Sequence, residues 1–255
     1  MADLLIDQNE APETPGLPAR PAPWLDLILY IGLAVGLIFG IQYALRGLLN
    51  QNTLLSTASI FLINSFIFVG VVGIVGVLRG HLTLQEIGLW PPRLPWNWIV
   101  LAAVLSIGLL PVRIVLGLLA QYLLTGSLQG LTSGLRMQML TPHGPLLANF
   151  LVSFFLGGVL VPFAEELFFR GALFSWFRRR YSLWVAVLAS SLLFALGHAD
   201  TAAVVVTSFV IGVLNAWLFE RTRSIWVPYT VHLVNNGLAF ILLYGALAAQ
   251  QLIQH

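Results

Sequence analysis

A chain of 255 residues in which 58% are hydrophobic and 9% charged, with a mean hydropathy of +0.90, lies far from the roughly 25% charge of soluble domains and excludes a large soluble core. No cysteine is present, which excludes disulfide scaffolds, Cys-ligated zinc and thiol nucleophiles. All 12 basic residues are arginine, so neither a Schiff-base lysine nor a P-loop lysine is available. The sequence pI near 9.3 reflects arginines at the ends of apolar segments, where they orient a membrane protein, and no nucleic-acid partner is implied.

Residues 1–23 are acidic and then Pro-rich (Pro12, Pro15, Pro18, Pro21, Pro23). They lack the basic start and short apolar core of a signal peptide and read as a disordered tail. A spanning helix needs about 20 apolar residues, and candidates follow at 25–45, 54–78, 97–124, 146–177, 183–200, 202–220 and 225–249. The fourth exceeds one straight span by about ten residues at ~1.5 Å each, so it is tilted or broken near Pro162, and an eighth element is open. The fold class is therefore an all-α polytopic membrane protein, a bundle of about seven to eight transmembrane helices. With the N-terminus cytoplasmic, Arg20, Arg79, Arg93, Arg178, Arg179, Arg180, Arg221 and Arg223 fall inside, and only Arg46 and Arg136 fall outside. The positive-inside rule is obeyed, and all eight tryptophans flank the same ends as interfacial anchors. The chain thus reads as an integral, multi-pass protein of the lipid bilayer, with the plasma membrane as its expected location. Only the 80–96 and 125–145 stretches have room for loop structure.

Charge inside these spans is costly, about 2.5–3.5 kcal/mol at a helix centre, so the exceptions mark candidate sites. Glu165 and Glu166 stand side by side in Phe163-Ala-Glu-Glu-Leu-Phe-Phe-Arg170, with Arg170 one helical turn beyond Glu166 at ion-pairing distance. The plain reading is a buried ion pair that locks packing. The functional reading is that Arg170 keeps Glu166 ionised and leaves Glu165 to act as a general base. His198 closes Phe194-Ala-Leu-Gly-His, with Asp200 near it as an orienting partner or a loop acid. His232 and Asn236 share a face at i,i+4, and Asn235 can reach the same side; such residues also serve as interhelical glue. Together, Glu165, His198 and His232 are the acid and base inventory of a hydrolytic site, and also a common zinc set. No His-Glu-x-x-His, Gly-x-Ser-Gly or Gly-x-Gly-Asp occurs, which argues against zincin-like, serine and aspartyl intramembrane proteolysis. Arg113, after Pro111, is a further intramembrane charge that could pair with Glu165 or Glu166, face a water-filled cavity or snorkel.

These three motifs resemble those of the CAAX protease and bacteriocin-processing family (CPBP, also called Abi), intramembrane proteases that include the type II CAAX prenyl endopeptidases. The family pattern, Glu-Glu-x-x-x-Arg, Phe-x-x-x-His and His-x-x-x-Asn, stands here as Glu165-Glu166-Leu-Phe-Phe-Arg170, Phe194-Ala-Leu-Gly-His198 and His232-Leu-Val-Asn-Asn236. Thr222-Arg-Ser-Ile-Trp-Val-Pro228 and Leu84-Gln-Glu-Ile-Gly-Leu89 are also similar to family segments. The resemblance is firm over about 145–245 and loose before it. It divides the chain into a tail (1–23), N-terminal transmembrane helices (24–144) and a catalytic transmembrane core (145–249) with its active site in a membrane-embedded cavity. It implies that Glu165 and His198 hold and activate a water, that His232 and Asn236 donate to an oxyanion, and that Glu166 and Arg170 orient Glu165. Zinc is an open cofactor question: if a metal is bound, Glu165, His198 and His232 would hold it, although Asn236 beside His232 reads better as an oxyanion pair.

The expected function is an intramembrane endopeptidase acting on peptide or protein substrates at the membrane, with CAAX-type or bacteriocin-related processing implied. The alternative is a non-proteolytic membrane scaffold or small transporter using the same polar residues. One geometric demand is explicit. Counted from the arginine-bearing ends at ~1.5 Å per residue, Glu165 lies about 20 Å deep, His198 deeper and His232 shallower, yet the three must converge.

Overall fold

An apolar segment of this length must satisfy its backbone hydrogen bonds internally, and helix is the result. The computed structural model describes residues 23–90, 96–129 and 140–254. Their elements are α1 Trp24–Ala44, α2 Leu54–Leu78, α3 Asn97–Gly108, α4 Leu110–Thr125, α5 Leu146–Arg178, α6 Leu183–Leu196, α7 Ala202–Thr222 and α8 Trp226–Gln254, with one extra turn at Arg46–Leu49 and no β-sheet among the described residues. Most of the tail, Arg20, Arg93 and Arg136 lie outside the described residues, as do parts of both expected loops.

Each of the seven expected spans is helical. Five are long and apolar enough to cross a membrane, and six are if α3 and α4 count as one span. That pair bends by 40°, because Pro111 stands in the first turn of α4 and cannot donate its missing N–H to the turn before it. The seventh element, α6, has only 14 residues, about 21 Å of rise against about 30 Å of hydrocarbon. The long fourth span is a single 33-residue helix with no break at Pro162, and the eighth helix comes instead from the division of the third span into α3 and α4. Two π-helical stretches, Ser153–Leu160 and Leu167–Phe174, are built into it. The first ends just before Pro162, and its wider turn accommodates a ring that would clash with a regular α ladder. Both lie next to the acidic pair, and π turns recur where function distorts a helix.

Helix α5 is the spine of the molecule: α2, α6 and α8 all pack on it, while α7 packs between α4, α6 and α8. Its buried Phe168, Phe169, Leu173 and Phe174 form one core with Phe194, Phe219 and Val75. Small residues set the closest approach. A side chain at Gly212 of α7 would lie 2.9 Å from Ser191 Cβ of α6, the close small-residue contact expected between membrane helices.

The arginine-bearing end is laced together by charge. Asp26, fully buried on α1, accepts from Arg79 Nη1 at 2.8 Å and meets His81 Nδ1 at 2.6 Å. Arg178 and Arg223 share Glu220, and Arg179 pairs with Glu86. Trp24 packs edge-on against Trp176, with Arg180 4.9 Å from each ring.

Here the two accessory segments noted in the sequence meet. Thr83 and Glu86 cap one another reciprocally in the 80–90 loop. The carbonyl of Gly88 then accepts from Ile225 N at 2.9 Å, and Ser224 Oγ donates to the Trp90 carbonyl at 2.8 Å. Gly88 has φ +79°, and a Cβ there would fall 2.5 Å from the Phe219 ring and 2.8 Å from Ile225 N. Gly88→Ala therefore combines left-handed strain with a clash against backbone. It is expected to cost about 1–3 kcal/mol, read as a lowered unfolding midpoint in detergent; an unchanged midpoint would show that this loop does not brace α7 and α8.

Candidate active site

Neighbouring residues on a helix point about 100° apart, and this alone gives Glu165 and Glu166 different surroundings. Glu166 turns inward and is fully buried, as is Arg170. Its Oε1 accepts from Asn215 Nδ2 of α7 at 2.9 Å and faces His232 Nδ1 of α8 at 2.9 Å, while Arg170 Nε lies 3.2 Å from Oε2. Because a carboxylate only accepts, Glu166 fixes a proton on His232 Nδ1. Arg170 continues outward, donating from Nη2 to the Gly212 carbonyl at 3.2 Å and lying 4.7 Å over the ring of Phe194.

Glu165 turns the other way, 8% exposed, into a cavity of about 450 Å³ whose wall includes Gly157, His198 and Asn236. A second cleft of about 380 Å³ opens on its other side, lined mainly by apolar residues such as Ile31, Ile38, Phe68, Phe169 and Leu193. Glu165 and Gly197 belong to both walls. On the wall of the first cavity His198 Nε2 lies 3.7 Å from Glu165 Oε1, and the buried His232 places Nε2 3.4 Å from Oε2. Glu165 Oε2 is buried and makes no hydrogen bond. The three side chains thus converge as the hydrolytic reading requires, at separations beyond a well-formed direct hydrogen bond.

His198 stands at the end of α6, with Nδ1 2.8 Å from the Phe194 carbonyl. A carbonyl only accepts, so Nδ1 carries the proton and Nε2 faces Glu165 with its lone pair in the neutral ring. Asp200 is exposed, and the support for the ring is the backbone one turn back. The Phe194 side chain buttresses the site as well, its ring packing 4.5 Å from His198 and 5.5 Å from His232, and against Phe169. The phenylalanine of the second motif is thus the apolar block on which both imidazoles and the Arg170 guanidinium rest.

Asn236 lines the cavity one turn beyond His232, and its Nδ2 donates to the Gly157 carbonyl at 3.3 Å. Pro162 lies five residues after Gly157 and has no N–H to offer that carbonyl in the π register. Asn235 donates to Asn236 Oδ1 at 3.1 Å and accepts from Arg113. Arg113 also donates from Nε to the Thr207 carbonyl at 3.3 Å. It pairs with neither Glu165 nor Glu166 and is not part of the wall of either cleft, which replaces the alternatives open from sequence.

All six candidate residues, Glu165, Glu166, Arg170, His198, His232 and Asn236, thus belong to one cluster. Sequence reasoning missed Asn215, Phe194 as a platform and the partner of Arg113. A lone Asn in the apolar run Val213-Leu-Asn-Ala216 was the available signal for the first. The donor set of Glu165, His198 and His232 has the right chemistry for zinc. As placed, however, no three His, Asp or Glu side chains among the described residues are arranged to hold a metal ion.

Residues 147–238 match the family model described as "Type II CAAX prenyl endopeptidase Rce1-like". That interval spans all three motifs. A stretch of 84 residues is 32% identical to a Bacillus subtilis (strain 168) protein named "Putative membrane peptidase YdiL", covering 33% of this chain and 34% of that one. The chain therefore spans about a third of the length of this curated relative. No solved structure gives a significant match.

Proposed function

We propose that this integral membrane protein is a peptidase that hydrolyses peptide bonds of membrane-associated substrates with a water activated by Glu165 and His198. The observation that carries the reading is the convergence of His198 and the buried His232 on Glu165 at 3.4–3.7 Å, with Glu165, His198 and Asn236 on the wall of one cavity. At that spacing one water can contact Glu165 and His198 together, whereas the groups themselves are too far apart for a good direct bond.

The chemistry balances within the cluster. Glu165 takes a proton from the water, the resulting hydroxide adds to the peptide carbonyl, and negative charge develops on the carbonyl oxygen. His232 Nε2 and Asn236 Nδ2 are the donors assigned to that charge, in the manner of an oxyanion hole. Glu165 then returns the proton to the leaving nitrogen as the C–N bond breaks, releasing a carboxylic acid and an amine. His232 lies between two carboxylates, with Nδ1 2.9 Å from Glu166 Oε1 and Nε2 3.4 Å from Glu165 Oε2, and donation from Nε2 to an oxyanion requires a proton on that nitrogen as well as on Nδ1.

The mainly apolar cleft beside Glu165 fits an apolar substrate segment flanking the scissile bond, consistent with lipid-modified or membrane-inserted peptides, including CAAX-type or bacteriocin-related ones. The arginine-bearing ends are assigned to the cytoplasmic side of the plasma membrane by the positive-inside rule. Purified protein in liposomes is expected to cleave a fluorogenic prenylated or membrane-tethered peptide and to keep doing so after chelation. Activity lost on chelation and restored by zinc would replace the water-and-glutamate scheme with a metal-dependent one. No cleavage of any such peptide would favour the scaffold or transporter reading.

A further inference from the structure

An arginine inside a membrane bundle is costly, and here it has no carboxylate to offset it: none of the ion pairs among the described residues involves Arg113. Merely tying α4 to α8 would be served as well by a neutral amide. What a guanidinium supplies that an amide does not is polarity, because it donates at every nitrogen and accepts nowhere.

We propose that Arg113 and Asn235 form a relay that sets which end of the Asn236 amide faces the substrate. The inference rests on the peptidase reading of Asn236. Arg113 donates to Asn235, so the atom presented there must be Oδ1. The Nδ2 of Asn235 is thereby turned the other way and donates to Asn236 Oδ1 at 3.1 Å. With its oxygen occupied, Asn236 can present only Nδ2 toward Gly157 and the cavity wall. An isolated asparagine has no such preference, since its two amide ends are alike in shape, and a flipped amide would aim an oxygen at the developing oxyanion. Arg113 is thus a positioning residue, acting through Asn235 and touching no reacting atom.

Pro111 helps to place it. The 40° bend between α3 and α4 lies one turn before Arg113, and the guanidinium is held from its other side by the Thr207 carbonyl at 3.3 Å. Both constraints are rigid backbone features, which suits an element whose purpose is direction.

Asn235→Asp is the discriminating variant. It retains an acceptor for Arg113, now in an ion pair, so the tie between helices is kept while the donor to Asn236 is lost. Expected are an unfolding midpoint no lower than wild type, a kcat reduced about tenfold to a hundredfold and a KM changed less than about twofold, the signature of an interaction used only in the transition state. Arg113→Met should lower kcat similarly, and Arg113→Lys, which keeps a donor, should recover much of the loss. Adding Asn236→Ala to Asn235→Asp should cost nothing beyond Asn236→Ala alone. A wild-type kcat in Asn235→Asp, or additive losses in the double variant, would overturn the relay. A second measurement is independent of turnover: in protein labelled with ¹⁵N-asparagine, the Asn236 side-chain amide resonances should move in both Asn235→Asp and Arg113→Lys/Met comparisons, most in Asn235→Asp. If wild type cleaves no peptide, the peptidase reading fails while these resonances still decide the relay, and unmoved resonances would sink it.

Discussion

Glu165→Gln is expected to reduce peptide cleavage by about a thousandfold or more while leaving a folded protein. The substitution preserves shape and removes only the capacity to take a proton, so it isolates general-base catalysis, whose contribution is typically 10²–10⁴-fold. Stability should change by less than about 1 kcal/mol, because Glu165 sits 3.4–3.7 Å from its imidazole neighbours and one of its oxygens already lacks a hydrogen bond. The measurement is initial cleavage rate in liposomes beside the unfolding midpoint in detergent. A variant that still cleaves within a few-fold of wild type would remove Glu165 from the chemistry and leave the convergence of the three side chains without a catalytic meaning.

Glu166→Ala should behave in the opposite way. Its carboxylate is fully buried and holds Asn215, His232 and Arg170 at once. Removing it strands a buried guanidinium and unties three helices, and breaking such a pair costs about 3–5 kcal/mol. Arg170→Met should be comparably harmful, leaving the carboxylate uncompensated. The double replacement Glu166→Leu with Arg170→Met removes both charges, so it should be more stable than either single variant while remaining inactive, because His232 has lost the group that fixes its Nδ1 proton. Thermal unfolding of the three variants decides the matter. A double variant less stable than both singles would mean that the pair stabilises the fold outright, beyond mutual neutralisation. The adjacent acids thus separate experimentally: one variant is folded and inert, the other unstable.

Much of this site was legible because polar residues are so few in the spans. In the 146–177 stretch the only charged residues are Glu165, Glu166 and Arg170, so pattern alone isolates them. The i,i+4 spacing of His232 and Asn236 likewise suffices to place both on one helical face. Spacing fails where partners come from other helices. Asn215 carries no register relation to Glu166, 49 positions away, and Arg113 finds Asn235 across 122 positions. Counting depth along straight helices also failed, and for physical reasons: α5 carries two π stretches, and α6 stops after 14 residues, short of the 183–200 span read from hydropathy. The apolar run through Ala195 and Leu196 is continuous in composition, but the helix ends at Leu196 and the turn that follows carries His198, whose ring meets Glu165. The Pro111 bend was likewise hidden, since composition reads 97–124 as one span.

The short helix α6 also bears on the supply of water. Starting from the arginine-bearing end, it ends about 9 Å before a normal hydrocarbon layer does, so a non-helical turn carrying polar Asp200 and Thr201 lies at a depth where lipid offers its backbone nothing. Such a turn is tolerated only if the bilayer thins around it or solvent reaches in to meet it. On the peptidase reading proposed above, a polar turn at that depth beside His198 would give the reactant that a hydrolase most needs, and a membrane most effectively withholds, a short path to Glu165. Membrane thickness would then control the proposed cleavage: longer acyl chains should slow it by burying this turn more deeply, and shorter ones should speed it.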